Sequence, residues 1–345
     1  MACPRIFDHQ GAGAACHAAS VTPSSPAETS VVVCAHTMRR LDETLGCLRA
    51  VRAQDEPPGE IVVVVDHEPE LQRILEERAD GSVTVVANAG ARGLSDARNT
   101  GVRTARGAVI AFVDDDAVPR AGWLAALLRP FADPQVVVTG GRAEPLWPDA
   151  PPPWFPEEFL WVVGCSYRGM VDDGPVRNVI GANMAFRREA FAAAGGFDPK
   201  VGRLGSRPLG CEETELCIRV RRALPGTRVV AVPDAIVDHH VSADRLRPRY
   251  FASRCWHEGL SKARIARLAP GGEALASERT YATRTLPAGV ARALAEVGRG
   301  RRPAAAGGRA AAIVGGLAAT TLGYAAGATV LRRQLAVVPG TAPVV

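Results

Sequence analysis

The sequence predicts an α/β protein: a mostly parallel sheet flanked by helices, followed by a helical C-terminal extension. Two observations carry this. Between residues 30 and 140, short β-branched apolar runs alternate with segments of helical spacing, the pattern of parallel strands joined by crossover helices. The polar residues that interrupt the pattern fall just past the carboxyl ends of those runs, where open α/β sheets bind their ligands.

The run Ser30-Val31-Val32-Val33-Cys34-Ala35 opens the series. Further strands are predicted over 60–66, 82–87, 108–113 and 135–139, each rich in Val or Ile. Between them, Leu41, Leu45, Leu48 and Val51 keep helical spacing, as do Leu71, Ile74 and Leu75. Residues 1–29 are rich in Ala, Ser, Pro and Gly and predict a disordered segment. Residues 144–177 carry so many prolines that neither a helix nor a central strand is expected, only an extended loop. Trp147, Trp154 and Trp161 in that loop are either platforms for sugar or lipid or pins that fix the loop to the core.

After residue 245 a long helix carries Tyr250, Phe251, Trp256, Leu260 and Ile265, interspersed with Arg249, Arg254, Lys262 and Arg264. A second amphipathic stretch covers 286–298. Residues 310–331 then run 22 positions without a charge, between Arg309 and Arg332. That length would cross a bilayer, but the content is mostly Ala, Gly and Thr. A membrane-associated or re-entrant helix, a docking helix and a full span are all open, with Gly323 and Gly327 as one small-residue pair for close helix packing. The chain therefore divides into 1–29, a domain over 30–245 with halves 30–140 and 141–245, and a basic extension over 246–335.

The composition sets further bounds. A chain of 345 residues with 47% hydrophobic content supports a sizeable core. Residues 245–345 hold 16 Arg or Lys against four Asp or Glu, whereas the remainder is acidic. Such a tail faces something anionic, and a phospholipid surface fits better than nucleic acid, since no nucleic-acid motif accompanies the charge. Eight cysteines are scattered with no CxxC and no zinc-ligand spacing, so reduced structural thiols in a cytosolic compartment are expected. No apolar h-region of a secretory signal follows Arg5.

Asp114-Asp115-Asp116 is the most informative spot. An apolar run, 109–113, ends there in three consecutive carboxylates, which repel one another unless a cation compensates. In extended backbone Asp114 and Asp116 share a side while Asp115 points away. Two oxygen ligands on one side suit a hard cation, Mg²⁺ or Mn²⁺, that would bridge a diphosphate.

The stretch Gly93-Leu94-Ser95-Asp96-Ala97-Arg98-Asn99-Thr100-Gly101, then Ala105-Arg106-Gly107, then the run into the three aspartates, resembles the family 2 inverting glycosyltransferases of the GT-A, Rossmann-like fold. Four other pieces agree in order and spacing: Cys34–Arg39 after the first strand, Asp66 after the second, Gly181-Ala182-Asn183-Met184, and Gly195-Gly196-Phe197-Asp198 leading to Glu212-Glu213. The resemblance covers roughly residues 30–245 and points to a bacterial, non-processive member, because the Gln-x-x-Arg-Trp pattern of processive synthases is missing around Ser253-Arg254-Cys255-Trp256.

The resemblance implies a donor site of Ala35, Thr37, Arg39, Asp66, Arg98, Asp114 and Asp115. Asp116 would be the principal metal ligand, Asp114 would help, and His239 of the His239-His240 pair would lie near the metal and diphosphate. Asn183 and Trp154 would face the donor sugar or the acceptor. Glu213 aligns with the catalytic base, where the family usually has Asp, with Glu212 or Glu215 as substitutes. For several of these a plain role competes. Asp66 suits a turn cap before Pro69, Arg98 an ion pair on an exposed helix face, the histidine pair a surface strand end, and the acidic cluster a helix N-terminus.

The function so implied is metal-dependent, inverting transfer of a single sugar from a nucleotide sugar to an acceptor hydroxyl. The acceptor would be lipid-linked or a small molecule, and the protein would lie at the cytoplasmic face of the membrane. A nucleotidyltransferase would show a Gly-rich, basic loop after the first strand, and Ala35-His36-Thr37 is not one. A non-catalytic sugar-nucleotide-binding scaffold is the third reading, which the intact aspartate triplet opposes. A dinucleotide dehydrogenase lacks its GxGxxG.

Overall fold

The computed structural model describes residues 25–79, 81–202, 209–267 and 275–336. Of the segment expected to be disordered, residues 1–24 lie outside the described residues; Pro26–Glu28 form a 3₁₀ turn and β1 starts at Thr29.

The first half is built as the pattern requires. Strands β1 (Thr29–Ala35), β2 (Glu60–Val65), β3 (Val83–Ala87) and β4 (Val109–Asp114) pair in parallel in the order β3-β2-β1-β4. Helices α1 (Leu41–Arg52), α2 (Pro69–Arg78) and α3 (Leu94–Thr104) connect them. Val31 and Val33 turn to one face, against Cys47, Leu48 and Val51 of α1 and Leu71 and Leu75 of α2. Val32, Val62, Ile110 and Phe112 turn to the other, against Ala97 of α3. Both faces are covered, so the strands read as continuous apolar runs rather than alternating ones. Each such valine contributes roughly 1.5–3 kcal/mol by leaving water.

Beyond β4 the sheet becomes mixed. β5 (Ala117–Pro119) follows directly, then α4 (Trp123–Leu128), β6 (Val136–Leu146), β7 (Gly174–Val176), β8 (Asn183–Arg187), α5 (Arg188–Ala194), α6 (Glu212–Ala223) and β9 (Arg228–His240). β8 inserts antiparallel between β4 and β6, β9 runs parallel to β6, and β5 and β7 pair antiparallel with β9. The strand expected over 135–139 therefore runs on to Leu146, into the segment read as loop.

The hidden length has a physical cause. Register between β6 and β9 shifts between Gly140 and Arg142, opposite the stretch that holds Pro233, and prolines within sheets sit at such irregularities. A Cβ on Gly141 would lie 1.9 Å from the Ala235 carbonyl oxygen, so only glycine fits the close approach. Read along the chain, these residues are breakers; in the sheet they make a bulge.

The C-terminal extension is mostly helical in its described part: α7 (Pro248–Ile265), α8 (Ala276–Thr280), a π-helical turn over Tyr281–Thr285, α9 (Leu286–Gly298) and α10 (Pro303–Ala336). The small-residue pair is used for packing. A Cβ on Gly259 of α7 would lie 2.1 Å from the Thr320 carbonyl oxygen, and one on Gly323 2.1 Å from that of Trp256. The other side of α10 exposes Val314, Leu322 and Val330. By length and composition Pro303–Val330 is apolar enough to cross a membrane. Gly259→Ala should force α7 and α10 apart, at a cost of about 1–3 kcal/mol. A lowered melting temperature and faster proteolysis within 303–336 are the expected readouts.

Candidate active site

Chain geometry assembles the site at the carboxyl end of β4. β4 stops at Asp114, and β5 pairs Ala117 with His239. The His240 amide donates to the Asp116 carbonyl at 2.7 Å, which fixes His239 beside the aspartates. Ligand atoms of Asp114, Asp116 and His239 all lie within 4.8 Å of one another, as the side-sharing of Asp114 and Asp116 predicts. His239 Nε2 stands 3.3 Å from Asp116 Oδ1, and burial lowers the imidazole pKa, which keeps a ligand lone pair free of protons. Its buried Nδ1 has no hydrogen-bond partner among the described residues. Two carboxylates and a neutral imidazole form an O, O, N donor set that fits Mn²⁺ or Mg²⁺.

The repulsion among the three carboxylates is answered by two arginines that sequence reading overlooked. Arg40 forks, with one nitrogen 2.8 Å from Asp115 Oδ1 and the other 2.9 Å from Asp116 Oδ2. Arg245 reaches Asp116 Oδ2 at 3.5 Å. Asp115 points to Arg40 and away from the donor set, and burial pushes its pKa up to about 7 against the pull of Arg40. The expected donor contact Arg39 is exposed, and only its amide meets the cap made by Thr37. The 3₁₀ turn Met38–Arg40 points the second arginine of the pair, not the first, at the aspartates. Neither Thr37 nor Arg39 lines the cavity, whereas Ala35 does.

Arg98 on α3 is buried rather than surface-exposed. It donates to Glu212 Oε1 at 2.8 Å, to Asp114 Oδ1 at 3.3 Å and to the Gly181 carbonyl at 3.0 Å. One guanidinium thus ties the aspartate cluster to the acidic start of α6. Asp66 accepts from Asn88 Nδ2 at 2.7 Å and from the Gly93 amide at 2.9 Å, so it orders the loop that enters α3 while lining the cavity.

At α6, Cys211 holds a left-handed backbone, φ 74°, that presents Glu212 and Glu213 to the cavity. Such strain persists where the surroundings over-determine it, commonly at functional sites. Burial and the neighbouring Glu212 carboxylate push Glu213 up to about 7. Glu215 is committed elsewhere, to Arg219 at 2.5 Å.

Two expected contacts belong to the core. Asn183 is fully buried: its Nδ2 donates to the Arg142 and Ala235 carbonyls at 2.9 and 2.8 Å, and its Oδ1 accepts from Trp123 Nε1 at 2.8 Å. It locks the bulge between β6 and β9 and does not line the cavity. Trp154 packs on Phe155 and Phe251 with ring centroids 5.4 and 5.6 Å apart, a pin for the proline-rich loop. Of the three loop tryptophans only Trp161 lines the cavity.

Ala35, Asp66, Arg98, the three aspartates, Glu212, Glu213 and His239 share one cavity of about 1100 Å³. That is room for a nucleotide sugar and part of an acceptor.

Known proteins are similar to this chain in sequence and in fold. Residues 30–195 match the family described as Glycosyl transferase family 2. Over 239 residues the chain is 35% identical to a glucosyl-dolichyl phosphate glucuronosyltransferase of Haloferax volcanii, spanning 68% of this chain and 76% of that protein. It is 28% identical to a pre-mycofactocin glycosyltransferase of Mycobacterium tuberculosis, spanning 63% of this chain and 44% of the relative. The fold aligns with the mannosyltransferase PcManGT from Pyrobaculum calidifontis, solved with GDP-Man and Mn²⁺, at a TM-score of 0.57 and 22% identity over 89% of both chains. On its aspartate-bearing α/β sheet and on this kinship, the chain belongs to glycosyl transferase family 2 and is a glycosyltransferase.

Proposed function

We propose that the protein moves a single sugar from a nucleotide-sugar donor to a hydroxyl of a lipid-linked acceptor, with inversion at the anomeric carbon, at the cytoplasmic face of the membrane. The observation that carries this reading is the meeting, in one cavity, of the Asp114–Asp116–His239 donor set with a carboxylate whose pKa lies near neutrality. Asp114, Asp116 and His239 would hold a divalent cation, Mn²⁺ or Mg²⁺. When bound, such an ion supplies neutralisation of the charge that grows on the departing diphosphate. Asp66 and Arg98, which line the same cavity, would take the nucleotide part.

Glu213 acts as the base. It takes the proton of the acceptor hydroxyl as that oxygen attacks the anomeric carbon from the face opposite the diphosphate. The proton ends on the Glu213 carboxylate, and the bond from the anomeric carbon to the diphosphate oxygen breaks. Glu212 is unsuited to this role because Arg98 holds it at 2.8 Å. The lipid-linked acceptor is supported by the name of the Haloferax relative and by the apolar side that α10 leaves exposed. With the basic extension, that side would lie against the membrane as a peripheral contact.

The test is a panel of UDP-, GDP- and dTDP-sugars with Mn²⁺ or Mg²⁺ and a short-chain prenyl-phosphate-linked sugar as acceptor. One donor should release its nucleoside diphosphate, and the product's anomeric coupling by NMR should show inversion. Retention of configuration, or release from none of the donors, contradicts the proposal.

A further inference from the structure

The same cavity has a second wall, built by the extension together with Phe159, Trp161 and Arg177, to which the chemistry above gives no task. Its polar part is a network of five charges. Lys262 Nζ lies 2.7 Å from Glu278 and 3.4 Å from Glu258. Arg254 reaches Glu258 at 2.9 Å, and Arg177 grips both oxygens of Glu278 at 2.6 and 2.7 Å. All five side chains line the cavity.

Desolvating five charges is expensive, and such networks add little stability over apolar packing. Despite burial, Lys262 with Arg254 holds Glu258 at about 2, and Lys262 with Arg177 holds Glu278 at about 2. Both stay ionised at neutral pH, so among the described residues of this wall three cations face two carboxylates. Through the Cys211 thiol, 3.5 Å from Glu258, the network also touches the residue that presents Glu212 and Glu213.

The apolar part begins where the polar part stops. The Arg254 guanidinium lies over the Trp161 ring, 5.4 Å from its centroid, and Trp161 Nε1 donates to the Tyr281 hydroxyl at 3.2 Å. Phe159, Leu286 and Leu317 continue this side of the cavity. Leu317 is also 36% exposed, on the same helix as the exposed Val314 and Leu322, so the wall extends to the apolar surface of α10.

We propose that this wall is the acceptor subsite: Arg177, Arg254 and Lys262 receive the phosphate of a phosphate-linked polyprenyl acceptor, and the apolar run ending at Leu317 receives its chain. This rests on the transferase reading above and names the residues that would select its acceptor. The phosphate ester of such an acceptor is anionic, which suits a wall where three cationic side chains line the cavity. A chain leaving past Leu317 exits toward the exposed side of α10, where a membrane would supply it.

The probes are farnesyl phosphate, farnesol and inorganic phosphate, titrated calorimetrically against the full chain, with nucleoside diphosphate and Mn²⁺ titrated in the same preparations. Farnesyl phosphate should bind about ten-fold tighter than either fragment. Lys262→Gln with Arg254→Gln should reduce it to the level of farnesol, Lys262→Arg should preserve the preference, and Leu317→Glu should reduce it to the level of inorganic phosphate. Melting temperatures identify any variant that fails to fold. Equal affinity for farnesyl phosphate and farnesol, or a preference untouched by the double substitution, overturns the subsite. If nucleoside diphosphate still binds in that case, only this subsite falls; if it binds to no preparation, the transferase reading falls with it.

Discussion

Asp116→Asn should lower kcat/KM by about 10³-fold or more, the size of effect seen when a group that stabilises developing charge is removed. The substitution preserves the side-chain shape and deletes one charge. That charge is the common centre of His239 at 3.3 Å, Arg40 at 2.9 Å and Arg245 at 3.5 Å. Without it the donor set loses an anionic ligand, and the two arginines crowd the position a cation would occupy. Added Mn²⁺ at high concentration should restore little activity. Arg40 keeps Asp115 at 2.8 Å, so the fold should survive, and an unchanged circular dichroism spectrum checks this. An Asp116→Asn protein that retains wild-type turnover would remove the metal site from the mechanism.

Glu213→Gln should cost about 10²- to 10⁴-fold in kcat, the usual contribution of general base catalysis, while donor affinity stays near that of the wild type. The pH profile distinguishes this from a structural effect. A base works only when deprotonated, and Glu213 is raised to about 7 by burial and by Glu212. Wild-type activity should therefore climb as pH rises through about 7 and flatten above it. In Glu213→Gln that acidic limb should vanish. Glu212→Gln should behave differently: it removes the negative charge that Arg98 pairs with at 2.8 Å, so its main signature should be lower stability with the limb still present. An unaltered limb in Glu213→Gln would move the base elsewhere.

The sequence made the parallel half of the sheet legible because its strands are buried on both faces and so read as unbroken apolar runs. β4 illustrates this: Val109–Asp114 ends within one residue of the expected position, and its last residue already belongs to the site. The mixed half was obscured by local chemistry that only tertiary packing reinterprets. Gly140, Gly141 and Pro233 look like breaks, yet they sit within β6 and β9, where Gly141 meets the Ala235 carbonyl and Gly140 the Val179 side chain too closely for a Cβ. Asn183 shows the same limit. Its motif marked it as important, but its amide satisfies two carbonyls and an indole in the core, a need invisible before the bulge is known.

The aspartates and the glutamates were legible because clustered carboxylates are conspicuous. Their counter-ions were not. Arg40 differs from Arg39 only in which way a 3₁₀ turn points it, and Arg245 arrives from the 3₁₀ turn that follows β9. The charged wall of Arg177, Arg254 and Lys262 is assembled from residues up to 85 positions apart, with Glu278 joined to Arg177 across 101 positions. No pattern along the chain marks such a set.

The most direct test of the central claim, that Asp114, Asp116 and His239 hold a cation that in turn holds the donor, is a calorimetric titration of the donor's nucleoside diphosphate. It would be run on wild-type protein and on Asp116→Asn, with Mn²⁺ and with chelator. Binding by the wild type with Mn²⁺, lost with chelator and lost in the variant, is the expected result. Equal binding under all four conditions would contradict it.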